Sequence, residues 1–147
     1  MNKPALFLRI AATLILIEGV LHTIGGVFGK PDPGPMTTAW MAMQANHFPL
    51  IGLDRTYAQV YTGFGLCITI SCILEGLVLW LISNRMRTHA ALLRPIIGLF
   101  AVGYLALTII AYTFIFAPPA ISNFIVFLCL AAAYFFAKQE NAEGLRN

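Results

Sequence analysis

The apolar run ALFLRIAATLILIEGVLHTIGGVF, residues 5–28, decides the fold class of this chain. It is longer than the roughly 20 residues that a helix needs to cross a bilayer, and its charged side chains are Arg9 and Glu18. We expect it to be retained and not cleaved as a signal peptide, because it is too long and no small-x-small cleavage site follows it. The run therefore predicts a first transmembrane helix.

Three more apolar runs have the length of a membrane span, at about residues 57–82, 95–117 and 119–137. The 147 residues are 59% hydrophobic and 10% charged, which excludes a soluble domain of this size. The net charge of +3 lies mostly in short flanks, so no nucleic-acid partner is expected. The sequence predicts an all-α fold, a four-helix transmembrane bundle in which residues 1–147 form one transmembrane domain.

The connections between the spans predict the orientation of the chain. Pro118 and Pro119 predict a tight turn between the last two spans, because neither has a backbone donor. Basic residues lie at the start of the first span (Lys3 and Arg9), in the segment NRMRTHAALLR, residues 84–94, and after the fourth span. In a four-span protein these three regions are on the same side of the membrane. By the positive-inside rule, both termini are expected in the cytoplasm. The expected location is a bacterial inner (cytoplasmic) membrane, which the chain crosses several times.

The segment at residues 29–56 is longer than a minimal connection and predicts a lid on the outer side. GKPDPGP forms a stiff exit from the first span, and MTTAWMAMQANHF then predicts a short helix that begins near Thr37 or Thr38. PLIGLDRTY is expected to turn into the second span. The apolar side chains of this segment favour a position in the interface or over the mouth of the bundle.

Two stretches of the chain resemble a known group. MQANHFPLIGLDRTYAQVYTGFGL, residues 43–66, together with GVLHTIGG of the first span, is similar to the signature of an uncharacterised group of small bacterial four-helix integral membrane proteins. This resemblance covers most of the chain and implies a common fold, but it implies no activity. A looser likeness, of architecture alone, is to membrane proteins of the sterol-isomerase and sigma-2-receptor type.

Polar side chains inside the spans supply the candidate site. Glu18 and His22 share one helix face, and ionisable groups at membrane depth are functional by default. Glu75 is expected at a different level, only about 10 Å from the cytoplasmic end of its span, so a close Glu18–Glu75 pair is not expected. Tyr104 and Tyr112 belong to a polar stripe on the third span. We interpret Glu18 and His22 as the catalytic pair of an outer pocket, with four ligand-binding residues around them: His47, Arg55, Tyr61 and Tyr112.

Two function classes follow from this pocket. In the first, the pocket binds a small lipophilic molecule. Isomerisation of its double bond is the reaction class that would match, because one carboxyl group and one histidine are the minimum for proton shuttling. In the alternative, the protein is a structural or accessory membrane subunit whose polar residues specify helix packing. A metal held by Glu18, His22 and His47 matches no strong motif, so no metal and no cofactor are assigned. Membrane lipid is the expected partner, and the sequence does not indicate an oligomeric state.

Overall fold

The computed structural model describes residues 2–144, with side chains as far as residue 137. The chain is all-α, as predicted, apart from one small β-hairpin that the sequence pattern did not indicate. The elements, in chain order, are α1 (Lys3–Leu21), a π-helical turn (His22–Val27), α2 (Pro35–Ala45), β1 (His47–Leu50), β2 (Leu53–Thr56), α3 (Tyr57–Phe114) and α4 (Ala117–Gly144).

Helix α3 consists of two arms that fold back on each other at His89, the one residue inside it with non-helical dihedral angles (φ −133°, ψ 27°). The Tyr104 hydroxyl of the second arm (residues 90–114) reaches Glu75 of the first arm (residues 57–88) at 2.7 Å. In a straight helix these residues would lie about 44 Å apart, so the arms run antiparallel. The sequence predicted separate helices at 57–82 and 95–117. The segment between them is helical instead, because NRMRTHAALLR is rich in helix formers and contains no glycine or proline.

The turn between α3 and α4 also differs from the prediction. Ile115 and Phe116 form it, and Pro118 and Pro119 lie in the first turn of α4. Proline is tolerated there because the first backbone N–H groups of a helix have no intrahelical acceptor. The two prolines therefore start the helix and do not make the reversal.

The chain divides into two compact units. The first comprises the described residues up to Glu18 and those from Cys72 onward, and the second comprises Gly19–Ser71. In the first unit, side-chain contacts join α1 to α3, the two arms of α3 to each other, the second arm to α4, and α4 back to α1. The fully buried long side chains of this unit form its core: Leu8, Ile15, Leu79, Met86, Ile97, Val126 and Leu130.

The second unit has more regular structure between α1 and α3 than a plain loop. Helix α2 starts at Pro35, two residues earlier than the threonines suggested, because proline is preorganised for the first helical position. Strands β1 and β2 pair antiparallel, with Leu50 opposite Leu53. Ile51 (φ 48°) and Gly52 (φ 79°) connect them with the two positive φ angles that a type I′ turn requires.

The outer surfaces of the helices are strongly apolar. Long side chains such as Leu99, Val102, Tyr112 and Phe114 are each more than two-thirds exposed. Among the described residues, three helical stretches are long and apolar enough to span a membrane: Lys3–Val27, Tyr57–Phe114 and Ala117–Ala137. These surfaces indicate a protein associated with a membrane.

Candidate functional site

A carboxyl group and a phenol form the best-defined polar pair of the first unit. The Tyr104 hydroxyl donates a hydrogen bond of 2.7 Å to Oε2 of Glu75. Tyr104 is 4% exposed, and Glu75 is half-buried. Among the side chains that the structure describes, Tyr104 is the hydrogen-bond partner of this carboxyl group, so Oε1 of Glu75 is able to accept another donor.

An open groove of about 260 Å³ runs beside this pair. Its wall is apolar except for the two polar groups, and it is lined by Glu75, Leu99, Phe100, Gly103, Tyr104 and Leu107. A Cβ atom added at Gly103 would meet nothing within 4 Å, so the missing side chain leaves space in the groove. The second arm of α3 therefore presents an apolar slot with a hydrogen-bond acceptor at its side.

Glu18 belongs to the same unit and is also bound by a hydroxyl group from another helix. Ser122 of α4 donates a hydrogen bond of 2.9 Å to Oε2 of Glu18. Each of the two carboxyl groups of this unit, Glu18 and Glu75, therefore accepts a hydrogen bond from a hydroxyl group of another helical segment.

The helix register explains why the two carboxyl groups lie at one level. Arg9 donates a hydrogen bond of 3.0 Å to Asn84 and Leu16 lies against Gly76, so α1 and the first arm of α3 run antiparallel. Glu18 follows Arg9 by nine residues and Glu75 precedes Asn84 by nine, so each lies about 14 Å along its helix from that contact. The expectation that Glu18 and Glu75 occupy different levels is therefore wrong.

His22 lies in the second unit, where the π-helical turn directs it toward α3. Its Nε2 is 3.2 Å from the carbonyl oxygen of Gly65. A carbonyl oxygen only accepts, so Nε2 carries the proton in this contact. Thr23, the next residue, is 2.8 Å from the hydroxyl group of Thr69, one turn after Gly65. These contacts join the π-helical turn to α3 within this unit.

The histidine and the arginine of the hairpin have partners in the hairpin itself. His47 Nδ1 lies 2.9 Å from Oδ2 of Asp54, across the two strands, and both side chains are more than half exposed. Arg55 donates a hydrogen bond of 3.2 Å to the backbone oxygen of Asp54. Both residues therefore belong to a polar patch on the surface of the hairpin.

The two tyrosines proposed as ligand contacts lie in different units. Tyr61 makes an edge-to-face contact with Trp40, at 6.2 Å between ring centroids, which packs α2 against the first turns of α3. Tyr112 is 78% exposed on the second arm of α3. Within the second unit, the described contacts of His22, His47, Arg55 and Tyr61 lead to three different residues: Gly65 for His22, Asp54 for both His47 and Arg55, and Trp40 for Tyr61.

The sequence contained a signal for the Glu75–Tyr104 pair that was interpreted differently. Tyr104 belongs to the polar stripe predicted on the third span, but the residue with which it pairs depends on where the chain reverses. The two residues lie 14 and 15 positions from His89, so a reversal at that residue brings them together. In the part of the chain that the structure describes, no group of three or more His, Cys, Asp or Glu side chains is arranged to hold a metal ion.

Comparisons of the chain with family models, with curated proteins and with solved structures find no match.

Proposed function

We propose that this chain is a multi-pass membrane protein that binds a small lipophilic molecule with a hydrogen-bond donor, in the groove beside Glu75 and Tyr104. One observation carries the proposal: a carboxyl group, held by a phenol at 2.7 Å, stands at the side of an open apolar groove of about 260 Å³. Pockets for small molecules combine an apolar wall with a few polar groups that fix the orientation.

The membrane placement assumes four passages. The first is α1 with its π-helical turn, the two arms of α3 are the second and third, and α4 is the fourth. We propose that both termini are cytoplasmic in a bacterial inner membrane, with α2 and the hairpin outside as a lid. Three helical stretches of sufficient length and the antiparallel arms of α3 support this placement.

The depth of Glu75 supports a functional role. If Asn84 marks the cytoplasmic border of the hydrocarbon layer, Glu75 lies about 14 Å inside it, near the middle of a layer about 30 Å thick. A carboxyl group at that depth is costly, and such groups mark binding sites and pathways more often than they serve packing. The proposed ligand donates a hydroxyl or amine hydrogen to Oε1 of Glu75, while its apolar body covers Leu99, Phe100 and Leu107.

Catalysis by Glu18 and His22 is not part of this proposal. An isomerase would need both groups to exchange protons with one substrate. Glu18 accepts a hydrogen bond from Ser122, and His22 donates one to the backbone of Gly65. These contacts favour an interhelical role, so the proposed activity is binding.

A structural or accessory subunit is the second candidate function. The hydrogen bonds that support it are those of Glu18 with Ser122, His22 with Gly65, and Thr23 with Thr69, each of which joins two helical segments. Polar contacts of this kind stabilise membrane helix pairs by about 0.6 kcal/mol on average. The structural candidate assigns no ligand to the groove beside Glu75, so a binding measurement distinguishes it from the proposed function.

The test compares two probes that differ by one donor. Purified protein in lipid nanodiscs is titrated with tritiated geranylgeraniol and with its methyl ether, which keeps the apolar body but has no O–H group. We expect saturable binding of both, with the alcohol about two- to tenfold tighter, the range that one net hydrogen bond provides.

Two glycine variants supply the matched control. Gly103→Leu places a side chain in the groove, whereas Gly63→Leu adds the same atoms where a Cβ also meets nothing within 4 Å. We expect the first variant to lose saturable binding and the second to retain it. Equal binding by both variants, or no saturable binding of either probe to the parent protein, would support the structural candidate.

A further inference from the structure

A second groove lies on the first unit, between α1 and the first arm of α3. It has a volume of about 250 Å³ and is lined by Arg9, Ile10, Thr13, Leu14 and Trp80. It shares no lining residue with the groove beside Glu75. One end therefore carries a guanidinium group, and the rest is formed mainly by apolar side chains.

The guanidinium group of Arg9 is held in place by neutral partners. Nη2 donates to Oδ1 of Asn84 at 3.0 Å, and Nε donates to the hydroxyl group of Ser83 at 3.4 Å. The guanidinium carbon lies 5.7 Å from the centre of the Trp80 ring. Among the described side chains Nη1 has no acceptor, so it is able to bind an external anion.

The positive charge of Arg9 is not neutralised within the described part of the chain. The one ion pair of the described side chains joins His47 to Asp54, in the second unit. Arg9 is exposed, and no carboxylate oxygen of the described residues lies within ion-pair distance of it. An exposed guanidinium that is fixed but unneutralised favours an anionic partner with several oxygen acceptors, such as a phosphate.

The sequence around Arg9 places this group at a membrane border. Asn84, Arg85 and Arg87 follow Trp80 on one side, and the apolar run from Ile10 leads away from Arg9 on the other. Tryptophan and arginine are enriched at the level of lipid head groups, where an apolar surface meets charge. The Arg9 end of the groove is therefore expected at the level of the lipid head groups, and its other end is expected in the apolar part of the membrane.

We propose that this groove binds an anionic phospholipid, with its phosphate on the Arg9 guanidinium and an acyl chain along Ile10, Leu14 and Trp80. We expect an anionic lipid because its phosphate has no positive group of its own, so Arg9 neutralises it. In a zwitterionic lipid, the head group already contains a cation. The proposal uses the membrane location of the protein, but it does not depend on a ligand in the groove beside Glu75.

The protein has two tryptophans, so Trp40→Phe leaves Trp80 as the single fluorescent probe in this groove. In that background, the full chain is reconstituted into bilayers of phosphatidylcholine with an added fraction of brominated lipid. The brominated lipid is either phosphatidylglycerol or phosphatidylcholine, and bromine quenches tryptophan on contact. We expect phosphatidylglycerol to quench Trp80 with an apparent affinity about fivefold higher, the factor that one basic residue contributes near an anionic surface.

Two arginine variants separate a site from a general charge effect. Arg9→Gln is expected to reduce the preference to about one. Arg87→Gln removes an equal charge from the first arm of α3, three residues after Asn84, and is expected to retain the preference. The proposal is overturned if the parent protein shows no preference or if both variants lose it equally. It is also overturned if inorganic phosphate in the buffer abolishes the preference, because the site would then bind free phosphate.

Discussion

Helix α1 packs so closely against the first arm of α3 at Gly76 that we expect a larger residue there to destabilise the protein. A Cβ atom at this position would lie 2.7 Å from Cγ of Leu16 and 3.2 Å from the backbone oxygen of Ala12. Carbon atoms in contact are normally about 3.5–4.0 Å apart, so α1 or the Leu16 side chain must move by about 1 Å. Since the Ala12 oxygen belongs to the backbone, rotation of one side chain does not relieve the contact. We expect Gly76→Ala to destabilise the protein by about 1–3 kcal/mol, the usual cost of overpacking.

Gly103→Ala is the matched control for this change. It makes the same substitution in the other arm of α3, where the new Cβ meets nothing within 4 Å. The intrinsic preference of helices for alanine predicts a stabilisation of about 0.5–1 kcal/mol there. Reversible unfolding in mixed micelles, followed by circular dichroism, measures both free energies. If the two variants have the same stability, the tight packing at Gly76 is refuted, and with it the register that places Glu18 and Glu75 at one level.

Three other predictions concern the polar pair, the hairpin and the topology. Tyr104→Phe and Glu75→Gln should be non-additive, with a coupling free energy of about 0.6–1.7 kcal/mol in a double-mutant cycle of unfolding; additive losses would mean that the 2.7 Å hydrogen bond contributes nothing. Ile51→Asn should slow amide hydrogen exchange in β1 and β2 by about fivefold, because Ile51 is 98% exposed and its left-handed conformation costs a branched residue about 1 kcal/mol or more; unchanged exchange would argue against that strain. In a cysteine-free background, Thr38→Cys should react with an impermeant maleimide in intact cells; reaction only after permeabilisation would invert the proposed orientation.

The helices were the predictable part of this fold, and their ends were not. Length and apolarity alone predict α1, α4 and the two arms of α3, because each corresponds to an apolar run of about 20 residues or more. The polar segment at residues 84–94 looked like a connecting loop, but charge does not stop a helix. The helical dihedral angles are interrupted at His89, and histidine is not a residue type that predicts the end of a helix, as glycine or proline would.

The hairpin was missed for a similar local reason. PLIGLDRTY contains a proline, a glycine and few alternating apolar residues, which predicts a turn. The type I′ conformation puts Ile51 at a positive φ, where asparagine or glycine is usual, so the common hairpin signal is absent. The sequence therefore predicted a reversal at this place without its strands.

The candidate site was predictable in its residue types more than in its pairs. Glu18 and Glu75 are carboxyl groups inside apolar runs of the sequence, where such groups require partners. Their partners, Ser122 and Tyr104, depend on the register between helices, and that register is set by distant contacts such as Arg9 with Asn84. Helix periodicity fixes which face a residue is on, but it does not fix which residue on another helix faces it.

Photolabelling of the groove is the most direct measurement of the central claim, that the surface beside Glu75 and Tyr104 binds a lipophilic donor. A diazirine-bearing analogue of geranylgeraniol is irradiated with the protein in nanodiscs, and the labelled peptides are mapped by mass spectrometry. We predict saturable labelling at Leu99, Phe100 and Leu107, which line the groove, and its loss when unlabelled alcohol is in excess. Labelling that does not saturate and that is as strong at Val102, a residue 68% exposed and not among the groove residues, would contradict the claim.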